Sequence, residues 1–135
     1  MKRNAFEKGL RDGLPICLGY LSVSFTYGLR TVENGLPFWA AVLISMTNLT
    51  SAGQFAGTDL IVAGGRYLEV AVTTFIINIR YMLMSLSLSQ KTDDTMTTGK
   101  RALLAFGVTD EVYAVAAQQP SVGASYLAGL MALPY

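Results

Sequence analysis

One long apolar run, residues 68–88, constrains this chain more than any other feature of its sequence. A helix needs about 20 mostly apolar residues to cross the hydrocarbon core of a membrane, and this run is long enough. The composition agrees, because 52% of the 135 residues are hydrophobic and only 14% are charged. An average soluble domain carries about 25% charged residues. The sequence therefore predicts an integral membrane protein.

Further apolar segments precede and follow this run. They are residues 13–29, 38–63, 102–117 and 126–133. We expect an all-α, polytopic transmembrane protein with four or five hydrophobic segments, in which residues 1–135 form a single domain and residues 1–12 a cytoplasmic tail. The last segment is too short to span a bilayer, so we expect the chain to be truncated at its C-terminus.

Residues 38–63 do not read as a uniform span, because a polar stretch at 47–57 divides them. One continuous helix of this length would cross a membrane, and two half-helices meeting at residues 47–53 fit equally well. Unwound backbone in a membrane exposes N–H groups to carboxylates and C=O groups to ammonium groups or cations. The alternative is tight helix packing through Ser51, Gly53 and Gly57.

The distribution of basic residues bears on the same segment. Residues 1–12 carry four basic side chains and residues 91–101 carry three, whereas residues 30–37 and 64–67 carry one each. Short basic loops concentrate on the cytoplasmic side of a membrane. Residues 1–12 and 91–101 lie on the same side of the membrane only if residues 38–63 do not cross it. The charges therefore favour a broken or re-entrant segment at 38–63, and they favour a cytoplasmic N-terminus.

Three charged residues are predicted inside apolar spans: Arg80 in the third, and Asp110 with Glu111 in the fourth. A charge at the bilayer centre costs about 2.5–3.5 kcal/mol on insertion scales. Pairing of Arg80 with Asp110 or Glu111 across neighbouring helices would relieve that cost. Such a pair either fastens helices or lines an aqueous path that binds a charged part of a substrate.

The polar stretch and the charged residues together form the predicted substrate-binding or coupling set. It consists of Thr50, Ser51, Gly53, Gln54, Asn78, Arg80, Asp110 and Glu111. Asn78 fits a helix–helix hydrogen bond as well as a ligand. Three tyrosines of the apolar segments, Tyr20, Tyr27 and Tyr81, are expected to anchor at the membrane interface.

Several functional classes lack support in the sequence. It contains no histidine, one cysteine, and no phosphate-binding loop, catalytic triad or metal-ligand spacing. We therefore expect no enzyme activity, no cofactor, no metal and no nucleic-acid partner. A transport protein and a structural or assembly subunit, whose polar residues only hold helices together, both remain compatible with the residues.

Four local motifs coincide along the chain. They are Gly13-Leu14-Pro15-Ile16 with Gly19-Tyr20, Ser51-Ala52-Gly53-Gln54-Phe55-Ala56, Asn78-Ile79-Arg80-Tyr81, and Thr109-Asp110-Glu111. In this order and spacing the chain resembles the AzlC family, also called the YgaZ or branched-chain amino acid permease family. Tyr81 stands where many relatives carry histidine, and its phenol does not titrate near neutral pH.

The resemblance implies a multi-pass protein of the bacterial inner membrane that works with a small membrane subunit of the AzlD type. It implies export of branched-chain amino acids and related apolar amino acids such as methionine. Members of the family are longer, so the chain corresponds to their N-terminal part. Backbone N–H groups near Thr50 and Gln54, with Arg80, would bind the substrate carboxylate, and Asp110 or Glu111 the ammonium group or a coupling proton.

Overall fold

The computed structural model describes residues 2–94 and 96–135. Within that part of the chain all the regular structure is helical, and a parallel bridge between Thr92 and Val122 stands alone. The seven helices are α1 (Lys2–Glu33), α2 (Phe38–Thr47), α3 (Ser51–Val62), α4 (Tyr67–Ser89), α5 (Thr98–Ala105), α6 (Asp110–Ala116) and α7 (Ala124–Ala132). The all-α prediction is confirmed.

Helix α4 corresponds to the predicted span at residues 68–88. Among the described residues it is the one helix both long and apolar enough to cross a membrane by length and composition, whereas α1 is longer but more polar. Exposed apolar side chains recur along α4 at spacings of three and four residues, as in Leu68, Val72, Phe75, Ile79 and Leu86. This spacing places them on one face of the helix.

Two glycines in the left-handed conformation end helices. Gly35 has φ of 85° and Gly64 has φ of 75°. After α1, Gly35 N–H donates to Val32 O at 2.9 Å and Leu36 N–H to Thr31 O at 3.1 Å. This bonding pattern is a Schellman motif, which satisfies the last carbonyls of a helix and favours glycine in the left-handed conformation. The same pattern closes α3 around Gly64.

The segment at residues 38–63 is broken, as the second of the two alternatives predicts. Its backbone leaves the helix at Asn48 (φ −136°, ψ 99°) and re-enters it after Thr50 (φ −92°, ψ 113°). Helix α2 has 10 residues and α3 has 12. At about 1.5 Å per residue neither crosses a hydrocarbon core of about 30 Å by itself.

A second break makes the predicted fourth span wrong. Residues 102–117 form two short helices, because α5 ends at Ala105 and the extended Thr109 (φ −106°, ψ 174°) precedes α6. Asp110 and Glu111 therefore begin a helix instead of lying in the middle of one. Acidic side chains in a first turn interact favourably with the exposed N–H groups there, and apolar content alone did not reveal this helix start.

The chain divides into two compact units. Unit 1 comprises Met1–Tyr20 and Tyr81–Tyr135, and unit 2 comprises Leu21–Arg80. Unit 1 has an apolar core that includes Ile16, Leu88, Val112, Val122, Leu127 and Leu130. The buried residues of unit 2 are mostly small or polar, and include Tyr27, Thr31, Gly53, Gln54, Gly57 and Thr58.

Glycines bring two helix backbones of unit 1 into close contact. A Cβ atom on Gly13 of α1 would lie 2.5 Å from the Leu130 carbonyl oxygen of α7, and one on Gly9 would lie 2.8 Å from the Leu130 nitrogen. On the opposing side, a Cβ on Gly129 would overlap the backbone of Phe6. Small residues at this spacing allow helices in membranes to approach closely.

We expect Gly13→Ala to lower the unfolding free energy by about 1–3 kcal/mol, because the added methyl group meets backbone instead of a movable side chain. Gly19→Ala is the matched control on the same helix. A Cβ there meets nothing within 4 Å, and alanine favours helix by up to about 1 kcal/mol. Thermal unfolding of the detergent-purified protein measures both, and equal effects of the two variants would contradict the close crossing.

Candidate functional site

The second short helix of unit 2, α3, lies against the end of α1. Arg30 Nη2 of α1 donates to Asp59 Oδ2 of α3 at 2.9 Å. One turn earlier on α1, the Tyr27 hydroxyl lies 2.8 Å from Thr58 Oγ1, and the Tyr27 ring packs edge-on against Phe55 at 5.3 Å. Because α2 starts just after α1 and α3 returns to α1, the two helices form a hairpin, here called the α2–α3 hairpin.

The hairpin tip, residues 48–50, meets the middle of α4. Thr50 Oγ1 lies 2.7 Å from Asn78 Oδ1 and 2.9 Å from Asn48 Oδ1. Asn78 is eleven residues into α4, or about 16 Å along its axis, which agrees with the length of α3. The break therefore lies at the depth of the centre of α4, where a membrane would offer its backbone no water.

Two further residues of α3 complete the tip. Gln54, at 9% exposed, donates its side-chain N–H to the Asn48 carbonyl oxygen, which the break leaves without a helical partner. Gly53 lies directly beneath the polar groups, since a Cβ there would stand 2.5 Å from Thr50 Oγ1 and 3.1 Å from Asn78 Oδ1. A larger residue at Gly53 would push the hydroxyl and the amide apart.

Thr50 occupies the N-cap position of α3 but does not cap it. A threonine at this position usually accepts a hydrogen bond from an N–H group in the first turn. Here its side chain makes no cap bond, because the hydroxyl is engaged with Asn48 and Asn78. The first N–H groups of α3 carry the positive end of the helix dipole and suit an anionic group.

The structure thus brings together four of the predicted site residues: Thr50, Gly53, Gln54 and Asn78. Ser51 follows Thr50 as the first residue of α3. The predicted set omitted Asn48, although it lies in the polar stretch. Its side-chain amide also accepts from Thr50 N–H at 3.3 Å, an asparagine turn that an Asn-x-Thr pattern permits but that periodicity does not reveal.

The two predicted carboxylates belong to unit 1, and each is hydrogen-bonded by a tyrosine of a long helix. Tyr20 OH of α1 donates to Glu111 Oε2 at 2.6 Å and lies 2.7 Å from Thr109 Oγ1. Tyr81 OH of α4 donates to Asp110 Oδ2 at 3.3 Å. Adjacent positions on a helix point about 100° apart, so the two carboxylates use different partners.

The expectation that tyrosines serve as interfacial anchors is wrong for Tyr27, whose side chain is 2% exposed. Tyr20 and Tyr81 use their hydroxyls on the carboxylates, a role that residue type alone did not indicate. Arg80 lies 13 residues into α4 and belongs to unit 2, whereas both carboxylates belong to unit 1. Its pairing with Asp110 or Glu111 stays a prediction.

Comparison with known proteins identifies the family of this chain. The model of the family described as "AzlC protein" matches residues 15–135. This chain belongs to the AzlC family. The resemblance seen in the four sequence motifs is therefore confirmed, and three of those motifs supply the hairpin tip, the Asn78–Tyr81 part of α4 and the start of α6.

The inner membrane protein YgaZ of Escherichia coli K12 is 34% identical over 111 residues, which cover 82% of this chain and 45% of YgaZ. Uncharacterised membrane proteins of Archaeoglobus fulgidus and Helicobacter pylori strain 26695 are 32% and 28% identical over 114 residues each. Those matches cover 84% and 82% of this chain. The AzlC chain spans about half the length of these curated relatives. No solved structure matches it significantly.

Because all three relatives are named membrane proteins, the apolar face of α4 and the α2–α3 hairpin are those of a membrane protein. At the centre of a membrane-spanning α4, lipid would offer the hydrogen bonds of the tip no alternative partner. Among the residues that the structure describes, no group of three or more His, Cys, Asp or Glu side chains could hold a metal ion.

A double-mutant cycle tests the contact between the hairpin tip and α4. Thr50→Val and Asn78→Leu should show a coupling in unfolding free energy of about 0.5–1.7 kcal/mol, since each removes the partner of the other. The control cycle pairs Thr50→Val with Thr73→Val, also on α4 but without a bond to Thr50. If the first cycle is additive like the control, the tip does not bind Asn78.

Proposed function

We propose that this protein is a permease subunit that exports branched-chain amino acids, and related apolar amino acids such as methionine, across the bacterial inner membrane together with a small AzlD-type subunit. The observation that carries the proposal is the break in the α2–α3 hairpin, whose polar tip meets the middle of α4 at Asn78. Broken helices at the membrane midplane are where many transporters bind substrate and ions.

The hairpin tip would bind the carboxylate of the amino acid. The side chains of the tip are uncharged and would not hold an anion by themselves. The attraction would come from the N–H groups at the start of α3, which carry a positive partial charge. Thr50, Ser51 and Gln54 would add hydroxyl and amide donors around that start, with Asn78 opposite. Arg80, two residues further along α4, is the second candidate for the carboxylate.

In unit 1, the first turn of α6 would bind a cationic group. Asp110 and Glu111 supply the negative charge that a substrate ammonium group or a coupling proton requires. Each carboxylate accepts a hydrogen bond from a phenol, and an ionised carboxylate can accept from more than one donor. Ionisable residues in a membrane protein of this family are expected to serve transport by default.

Contacts within unit 1 support a proposed membrane orientation. In unit 1, Lys8 Nζ donates to Gln119 Oε1 at 2.8 Å and Lys91 Nζ to the Ala117 carbonyl oxygen at 2.6 Å. Both basic groups therefore reach one turn, residues 117–119, which the positive-inside rule assigns to the cytoplasm. If α1 and α4 each cross once, the hairpin between them does not cross and is re-entrant.

The competing proposal is a structural or assembly subunit, and the glycine crossing of α1 and α7 favours it. In that case the polar residues only satisfy one another, and another chain forms the path. Reconstitution without the partner subunit separates the two proposals, because transport by this protein alone excludes a purely structural role.

Neutralising the acidic pair tests the transport proposal. We expect Asp110→Asn or Glu111→Gln to lower isoleucine export from loaded cells about tenfold or more, since a hydrogen bond to a charged group contributes about 1.5–3 kcal/mol. Glu33→Gln, at the exposed end of α1, is the matched control and should export normally. Normal export by both acidic-pair variants at normal expression would exclude a transport role for the pair.

Cysteine labelling tests the orientation in a Cys17→Ala background. Asn34→Cys and Ala63→Cys, at the two ends of the hairpin, should react with an impermeant maleimide in intact cells. Ser121→Cys, in the α6–α7 turn, should react only after permeabilisation. All three positions are exposed. Labelling of positions 34 and 63 from opposite sides would show that the segment spans the membrane.

A further inference from the structure

The hydroxyl of Tyr20 lies between two groups at the start of α6. It is 2.6 Å from Glu111 Oε2 and 2.7 Å from Thr109 Oγ1. A phenol has one proton, and an ionised carboxylate only accepts, so Tyr20 donates to Glu111. The Thr109 hydroxyl can then donate to the Tyr20 oxygen. The three side chains form a chain of hydrogen bonds that ends on the carboxylate.

This arrangement fixes a carboxylate that would otherwise be mobile. Glu111 is exposed, and a glutamate has three rotatable side-chain bonds that cost entropy to order. Thr109 is 4% exposed and Tyr20 is partly buried, so their hydroxyls are held by packing. The bond to Glu111 has the short length of a charge-assisted hydrogen bond, and it directs one carboxylate oxygen to a defined place.

The second oxygen of Glu111 has the properties of an ammonium acceptor. Within residues 2–94 and 96–135, Glu111 Oε1 makes no hydrogen bond to the protein, whereas Oε2 is held by Tyr20. An ammonium group carries three donors and no acceptor. A carboxylate oriented in advance binds such a group with less loss of freedom than a mobile one.

We infer that Tyr20 is a positioning residue that orients Glu111 to bind the ammonium group of the substrate, an inference that rests on the proposed transport function. The phenol does not contact substrate in this arrangement. Its hydrogen bond sets where the Glu111 carboxylate lies, and Thr109 sets where the phenol lies.

The experiment compares isoleucine with its 2-hydroxy analogue, which keeps the carboxylate and the apolar chain but lacks the ammonium group. Vesicles containing this protein and its partner subunit report the KM for isoleucine and the inhibition constant of the analogue. We expect Tyr20→Phe to raise the KM for isoleucine about tenfold and to leave the inhibition constant of the analogue unchanged. General damage to the protein would weaken both.

Tyr113→Phe is the matched control. Its hydroxyl also lies on α6 and is 3.1 Å from Ser87 Oγ, but it does not bind a carboxylate. This variant should keep the wild-type ratio of the analogue's inhibition constant to the KM for isoleucine, and Glu111→Gln should lower that ratio as Tyr20→Phe does.

The possible outcomes separate the two levels of the proposal. If the wild-type complex does not transport isoleucine, the proposed function fails. If Glu111→Gln lowers the ratio and Tyr20→Phe does not, Glu111 binds the ammonium group without help from Tyr20 and the inference is overturned. A ratio unchanged in both variants overturns the ammonium role of Glu111 itself.

Discussion

The backbone break at residues 48–50 leaves polar backbone groups without helical partners, and other residues of unit 2 supply those partners. A helix that stops inside a membrane leaves carbonyl and N–H groups that lipid cannot satisfy, at several kcal/mol for each group. The Gln54 side chain donates to the Asn48 carbonyl oxygen, and the Asn48 side chain accepts from the Thr50 N–H. The Asn78 amide oxygen of α4 accepts from the Thr50 hydroxyl. The break persists because side chains on both sides of it replace the missing helical bonds, and those same side chains make the tip polar.

The interiors of the two units differ for a related reason. Unit 1 is held by an apolar core and by the glycine contact between α1 and α7. Unit 2 is held where α3 meets α1 by an ion pair, a hydroxyl pair and the ring contact of Tyr27 with Phe55. Polar contacts have geometric requirements that apolar packing lacks, and they fix the register of α3 on α1.

The sequence predicted those features that depend on local residue type. The α4 helix follows from apolar length, and the break follows from the run of hydroxyls, amides and glycines at residues 47–57. The start of α6 at Asp110 was missed, because an apolar count cannot distinguish a helix from two helices joined at Thr109. Partners separated by many residues, such as Tyr20 and Glu111, depend on packing between helices, which periodicity does not encode.

The roles of the tyrosines show how the same residue type serves two different needs in this fold. Tyr27 is buried and bonds a neutral hydroxyl, so it contributes packing and register. Tyr20 and Tyr81 donate hydrogen bonds to carboxylates at the first turn of α6, a helix of seven residues. Since α6 is too short to hold two adjacent acids by itself, the long helices α1 and α4 determine where those charges lie. A substrate that binds there would therefore meet carboxylates positioned by three helices instead of one.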